Sequence, residues 1–369
     1  MTIVWLILSD EAVKHILILT GRFGMGHCCA AEAIRQQLST VNPYADVHVV
    51  DLIDYLFPRQ SEAIYRAFSH LVNHFSTVYN SLNRMVGRCG ILPIHTMMMY
   101  KIRSLLRDDQ ADIVISTLPL CSQYISAYKQ QCDDAIPLYT YITDIGAQDE
   151  WIVPHTNAYF VGAYETKIQL MQKGVRADRI HICGIPVRQD FLRPMEQRSH
   201  SEKTELLLMG GGLGLIPSSD AFLSALSQRD DLHLTVIAGK NHALHTHLCA
   251  QYPSIHVVGY TDQVARYMRS ADLLITKSGG ITTFEAIRCG TPLYVIRPFL
   301  MQEIGNAHYI EQHDIGRVIW SRSGDVASDI LTLLQNNEHL AMMKRSMADI
   351  CAQLEPLCPA IYFGEEAVL

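Results

Sequence analysis

A chain of 369 residues exceeds what one hydrophobic core usually organises, and its length favours two globular domains of roughly 150–200 residues each. With 49% hydrophobic and 18% charged residues it can bury a large core, which excludes a fibre, a disordered tract or a disulfide-stapled miniprotein. Its 30 basic and 37 acidic residues leave a net charge of -7, which argues against nucleic acid as a partner held by phosphate charge.

The chain opens on a short apolar stretch, residues 3–8, with no basic residue ahead of it and far short of the ~20 residues a membrane span needs. Short, almost continuously apolar runs follow at 15–20, 47–51, 112–117 and 137–142, and again at 205–209, 232–238, 255–258, 272–276 and 292–296. That is how buried parallel strands read, and the segments between them carry the three- and four-residue apolar spacing of covering helices. The pattern predicts α/β architecture twice over. The expected domains are 1–185 and 204–345, joined by a polar linker at 186–203, with a closing helix at 346–369 that crosses back toward the first domain. The 10 cysteines are scattered with neither C-x-x-C nor finger-like Cys/His spacing, so they read as reduced cytosolic thiols.

Glycine-rich loops follow strands and open helices at 21–27, 210–214 and 277–280. In an open parallel sheet, ligands bind at the carboxyl ends of strands, and such loops let backbone N–H groups approach an anion beside a helix amino terminus. All three therefore point into one interdomain cleft. In the third, Gly280 and the N–H groups of Ile281 and Thr282 can cradle a diphosphate without a metal. Glu285, one turn on, can accept two hydrogen bonds from a ribose diol, and Gln302 and Glu303 suit sugar hydroxyls. Any single piece is equally a helix cap before a solvated acidic turn; their conjunction favours a nucleotide-sugar site.

The motifs come in a fixed order: Gly24-Met25-Gly26-His27 with Ala30-Ala31-Glu32-Ala33; Thr143-Asp144, then Trp151; Gly184-Ile185-Pro186-Val187; Met209 to Gly214; Gly259-Tyr260-Thr261-Asp262; Lys277 to Ala286; and Gln302-Glu303 with Asn306. In these the sequence resembles the glycosyltransferases that include plant monogalactosyldiacylglycerol synthase and bacterial diacylglycerol glucosyltransferases, over about residues 14–345. The resemblance implies a GT-B fold, two Rossmann-like doubly wound domains facing a cleft, and transfer of a hexose from a UDP-sugar held mainly by the second domain. It places Tyr260 and Thr261 at the uracil, Glu285 at the ribose, and Gly280, Ile281 and Thr282 with Ser278 and Gly279 at the diphosphate. Gln302 and Glu303 fall at the donor sugar, Asn306 among the donor-binding residues, Arg188 at the nucleotide from the linker side, and Gly212 and Gly214 on the opposite wall. Gly26 and Trp151 fall on the acceptor side. Two departures bear on substrate identity: Gln148 stands where relatives commonly carry histidine, and Met301 where they carry glycine.

His27, at a helix start across the cleft, suits the base that removes an acceptor proton in an inverting transfer; a helix-capping or acceptor-phosphate role is the alternative, and Asp144 is the competing base. The chain lacks an Asp-x-Asp motif, since Asp51 and Asp54 are spaced by two residues, so no metal or other cofactor is required, and His242, His245 and His247 read as a solvated helix face rather than a zinc site. Between Arg59 and Arg107 seven bases, among them Arg66, Arg84 and Arg88, face one acid, Glu62. They interleave with apolar residues at helical spacing, which suits a helix resting on an anionic bilayer; a helix packed into the first domain is the alternative. The expectation is a peripheral protein of the inner membrane face acting on a lipid acceptor such as diacylglycerol. A polyprenyl lipid or natural product as acceptor, a UDP-sugar epimerase or hydrolase, and a nicotinamide dehydrogenase with Asp51 on the ribose are the rivals. Against the last, Gly21, Gly24 and Gly26 depart from Gly-x-Gly-x-x-Gly spacing. The oligomeric state is left open.

Overall fold

The computed structural model describes residues 13–74, 96–193, 203–210, 220–298, 300–320 and 325–355. Arg84, Arg88, Gly212, Gly214 and residues 194–202 of the polar linker lie outside the described residues.

The first sheet is built from β1 (His15–Thr20), β2 (Asp46–Asp51), β3 (Ile113–Ser116), β4 (Leu138–Tyr141), β5 (Ala158–Val161) and β6 (Ile180–Ile182), in the spatial order β2-β1-β3-β4-β5-β6. The second holds β7 (Thr204–Met209), β8 (Leu232–Ile237), β9 (His256–Val258), β10 (Leu273–Thr276), β11 (Leu293–Ile296) and β12 (Gly316–Ile319), ordered β12-β11-β10-β7-β8-β9. Every pairing is parallel. The second order is that of a dinucleotide-binding fold, and each sheet reverses direction once, between β1 and β3 and between β7 and β10. At those reversals the loops diverge and leave a crevice, so the topology alone selects the ends of β1, β3, β7 and β10 as ligand positions. The strands not anticipated, β5, β6 and β12, are three to four residues long, and the latter two carry a polar residue on an outer strand.

Helices cover both faces of each sheet. Ile16, Ile18, Ile34 and Leu38 pack on one face of the first and Leu17, Leu19, Ile102 and Ile125 on the other. A larger apolar cluster runs through both domains: Ile145 and Ile185 of the first and Val187 of the linker share it with Ile281 and Phe284 of the second and Ile350 of the closing helix. The Gly280–Cys289 helix is therefore an interface element as well as a sheet cover. The long closing helix, Asn337–Gln353, packs on it, and beyond that helix the Glu355 N–H donates to Ile182 O at 2.8 Å on the outer strand β6. Of the three adjacent methionines, Met98 and Met99 are core and Met97 is exposed.

Candidate functional site

The buried Ile-Leu run of β1 ends at Thr20, and the next glycine loop turns into the Met25–Val41 helix, which has neither a side-chain cap nor an acid in its first turn. His27 stands on that turn, half-buried against the end of β3. Its Nδ1 lies 2.8 Å from Thr117 O and 3.0 Å from Thr143 Oγ1. A carbonyl can only accept, so Nδ1 carries the proton and, in the neutral ring, Nε2 is left with its lone pair. Thr117 is held in turn, its Oγ1 donating to Thr20 Oγ1 (2.9 Å) or to the His27 carbonyl (3.1 Å). Burial pushes the imidazole below its ordinary value, against the opposing charge of Asp144 and the Thr117 carbonyl. Neutral near pH 7, with Nε2 unprotonated, this ring can accept a proton.

Asp144 follows β4, half-buried, and is electrostatically paired with His27. Burial raises its carboxyl above the usual range; His27, a hydrogen bond from Asn306 and Lys277 pull it down, while Glu303 pushes it up. Asn306 Nδ2 donates to Asp144 Oδ1 (3.2 Å) and to Ser278 O (2.9 Å), and its Oδ1 accepts from Ile145 N (2.8 Å). Ser278 Oγ donates to Glu303 O (2.7 Å), Lys277 Nζ stands 3.6 Å from Glu303 Oε1, and the Glu303 carboxylate accepts from Leu300 N (3.4 Å). A continuous polar array thus links His27 of the first domain to the loop after β10.

That loop delivers Gly279 and Gly280 to the amino end of the interface helix, which has no side-chain cap and no acid in its first turn. Gly280 abuts the Thr143 carbonyl so closely that a Cβ there would overlap its oxygen, so glycine is required where the domains touch. The Ile281 side chain turns into the interface, within reach of Gly26, so any role it has toward a ligand is limited to its amide; Thr282 is half-buried. Along the helix Glu285 is only 8% exposed, and burial pushes its carboxyl up to about 7, opposed by the Arg188 guanidinium. Arg188 donates to Asp262 O (3.2 Å) and lies over the Phe191 ring. Tyr260 is 63% exposed beside Lys240, whose ammonium is 5.3 Å from the ring centroid; Thr261 Oγ1 accepts from Gln263 N. Gln302 is half-buried at the start of the Met301–Gln312 helix.

The structure therefore gathers His27, Asp144, Gly26, Ser278, Gly279, Gly280, Ile281, Glu303 and Asn306 at one meeting of the domains, with Glu285 and Arg188 farther along the same helix. It corrects two expectations and removes the basis of one rival reading. Asn306 is 0% exposed with its amide engaged on both sides, so it faces no sugar. Trp151 is 1% exposed and backs the His27 ring at 6.3 Å between centroids; its bulk shapes the wall and meets neither acceptor nor membrane. Asp51, the ribose acid of the dehydrogenase reading, is consumed internally: it caps Ile53 N and Asp54 N, accepts from Tyr65 OH (2.6 Å) and pairs with Arg22 (3.3 Å). Sequence reading missed Thr117, whose carbonyl sets the histidine tautomer; no side-chain motif encodes a carbonyl. Among the described residues no group of three or more His, Cys, Asp or Glu side chains is arranged to hold a metal ion.

Two family models match the chain: monogalactosyldiacylglycerol (MGDG) synthase over residues 27–187 and the glycosyltransferase family 28 C-terminal domain over 208–354. The chain is 27% identical to the processive diacylglycerol beta-glucosyltransferase of Bacillus licheniformis over 91% of either chain. It is 28% identical to that of Staphylococcus carnosus, over 91% of this chain and 89% of the other. MurG of Acinetobacter baumannii has the same fold, with a TM-score of 0.55 and 15% identity over 93% of this chain and 96% of that one. Models that match both sheets in turn, and relatives aligned along nearly the whole length, place the chain in the monogalactosyldiacylglycerol synthase and family 28 glycosyltransferases, UDP-sugar-dependent enzymes of GT-B fold.

Proposed function

We propose that this glycosyltransferase moves a hexose from a UDP-sugar to the hydroxyl of a diacylglycerol-type lipid, with inversion, without a resident metal, at an anionic membrane face on the cytoplasmic side. Residues 1–185 take the acceptor and 204–345 the donor, with 186–203 as linker and 346–369 returning to the first domain. The observation that carries the reading is the His27 imidazole, its Nδ1 tied to Thr117 O, standing beside the joint where the first turn of the Gly280–Cys289 helix meets the first domain. His27 Nε2 takes the acceptor proton as the acceptor oxygen bonds to the anomeric carbon and the bond to the diphosphate oxygen breaks. The departing UDP carries away the electron pair. The first-turn amides of that helix, with its dipole, stabilise the charge that develops there, which is work a metal does elsewhere.

Glu285 accepts from the ribose diol, Tyr260 and Thr261 flank the uracil, Arg188 reaches the nucleotide, and Gln302 with Glu303 addresses the sugar. Inversion is supported by chemistry: UDP-glucose is an α-glycoside, and the relatives are named for forming β-glucosides, which requires attack from the opposite face. Lipid as acceptor is supported by those names and by the Ser61–His74 and Thr96–Asp108 helices, the first exposing Arg66 and the second Met97, Tyr100, Arg103 and Arg107. No helix among the described residues is long and apolar enough to cross a bilayer, so contact from one side is the geometry left to them. Radiolabelled UDP-hexoses incubated with the protein and diacylglycerol in anionic vesicles should give a labelled β-glycolipid without added metal and in the presence of a chelator. Label recovered only as free sugar, or an α-linked product, defeats the reading.

A further inference from the structure

Asn306 lies midway along the Met301–Gln312 helix of the second domain, yet two of its three side-chain hydrogen bonds go to the first domain, at Asp144 Oδ1 and Ile145 N. The third, to Ser278 O, fixes the amide to the loop that opens the donor helix. A primary amide offers two N–H donors and one oxygen, and here the oxygen is aimed at a backbone N–H, so the nitrogen must face the carboxylate. The group is sealed from solvent. Asp144 is thereby held from across the domain boundary, between His27 on its own domain and Lys277 and Glu303 on the other.

We propose that Asn306 is a positioning residue for the transfer: its amide fixes the Asp144 carboxylate beside His27 when the two domains meet, so that the base reaches full strength only in the assembled cleft. This rests on the reading of His27 as the base. An N–H donated to a carboxylate favours its ionised form, and an ionised Asp144 raises the proton affinity of His27. Drawing the second domain away removes that donor together with the charges of Lys277 and Glu303, and leaves the carboxylate with no partner that fixes it beside His27. Proton abstraction is then suppressed when no donor-bound second domain is in place.

The test compares the full chain with Asn306→Ala and Asn306→Asp. The readouts are kcat and KM for UDP-hexose between about pH 6 and 9, calorimetric UDP-hexose affinity, and an NMR titration of the His27 ring. Asn306→Ala should lower kcat by at least about tenfold while changing donor affinity by less than about threefold, and should lower the His27 pKa by at least about half a unit. Asn306→Asp keeps the volume and the acceptor for Ile145 N, and its carboxyl can share one proton with Asp144. Its activity should therefore approach that of the parent while one proton is shared, and fall as pH rises, when that proton leaves and the two like-charged carboxylates push Asp144 from its place beside His27, a descending limb the parent lacks.

Donor affinity falling in step with kcat would make Asn306 a donor ligand and overturn the proposal. So would an unmoved His27 titration, or an Asn306→Asp profile parallel to the parent. Where Asn306→Ala does not fold, the isosteric Asn306→Asp carries the same comparison. The histidine titration needs no turnover, so its shift in a protein that transfers no sugar would refute the transferase reading and leave the coupling standing.

Discussion

Replacing Glu285 by glutamine isolates one ionisation in the donor site. The carboxyl is nearly sealed from water on a helix that packs between the domains, and burial lifts it from 4.5 to about 7, with Arg188 as the opposing charge. A ribose diol has two hydroxyls to donate, so the ionised carboxylate is the form that binds it. One pH unit below the pKa roughly one site in eleven is ionised, so UDP-hexose affinity should be about tenfold weaker near pH 6 than at pH 8, ~1.4 kcal/mol. UDP-hexose is the ligand to use because its diphosphate is diesterified and keeps its charge across this range, whereas UDP titrates. Calorimetry of the acceptor-free protein should show donor affinity rising through pH 7 to a plateau, with proton release on binding below it. Glu285→Gln should bind with pH-independent affinity, since an amide both accepts from and donates to a diol.

The same shift has a stability consequence of opposite slope. The folded protein holds a proton here that the unfolded chain has lost above 4.5. Stability present below 4.5 is therefore lost as pH rises toward 7, by up to ~3 kcal/mol, and Glu285→Gln should flatten that part of the profile. A donor affinity that is level from pH 6 to 8 in the parent protein, with no proton release, refutes the argument that this buried acid receives the ribose.

Three further outcomes follow from the geometry. His27→Ala should reduce kcat by about 10²–10⁴ and leave calorimetric donor affinity unchanged; an equal loss in both would move His27 from the reacting proton to the donor. Gly280→Ala forces a methyl into the Thr143 carbonyl and should lower stability by ~1–3 kcal/mol, read as a fall in melting temperature; a neutral result would mean that the domains do not meet there. Charge reversal of Arg66, Arg84 and Arg88 together should weaken partition onto anionic vesicles by ~3 kcal/mol or more, and unchanged co-sedimentation would remove the basic segment from membrane binding.

The two-domain α/β design was legible because its inner strands are continuously apolar: residues 15–20 and 273–276 admit no other placement than a covered parallel sheet. Strands β6 and β12 escaped because each is a short outer strand interrupted by a polar residue, His181 and Arg317, while β5, as short and as buried as β10, was overlooked. His27 could be singled out because it follows a glycine loop at a helix start; the Thr117 carbonyl that holds its ring could not. Asn306 was misread, and the dehydrogenase rival built on Asp51 was arguable, for one shared reason. A polar side chain near a motif looks available in one dimension, and only packing reveals that Asn306 is enclosed between domains and that Asp51 answers to Arg22, Tyr65 and its own helix. The apolar seam joining Ile185 to Phe284 was equally hidden, since each half reads as the core of its own domain.

The return of the chain to β6 bears on how the enzyme opens. The polypeptide passes between the lobes once near Gly184-Ile185-Pro186-Val187 and again where Leu354 lies against Gly184, whose φ of 80° only glycine holds without strain. The two passes lie side by side, so the lobes are pinned like a door on paired hinges. Any swing of the lobes would turn about the line through these pins, parting the far lip most and the pinned edge least, and would have to break the contacts of Gly280 with Thr143 and of Asn306 with Asp144.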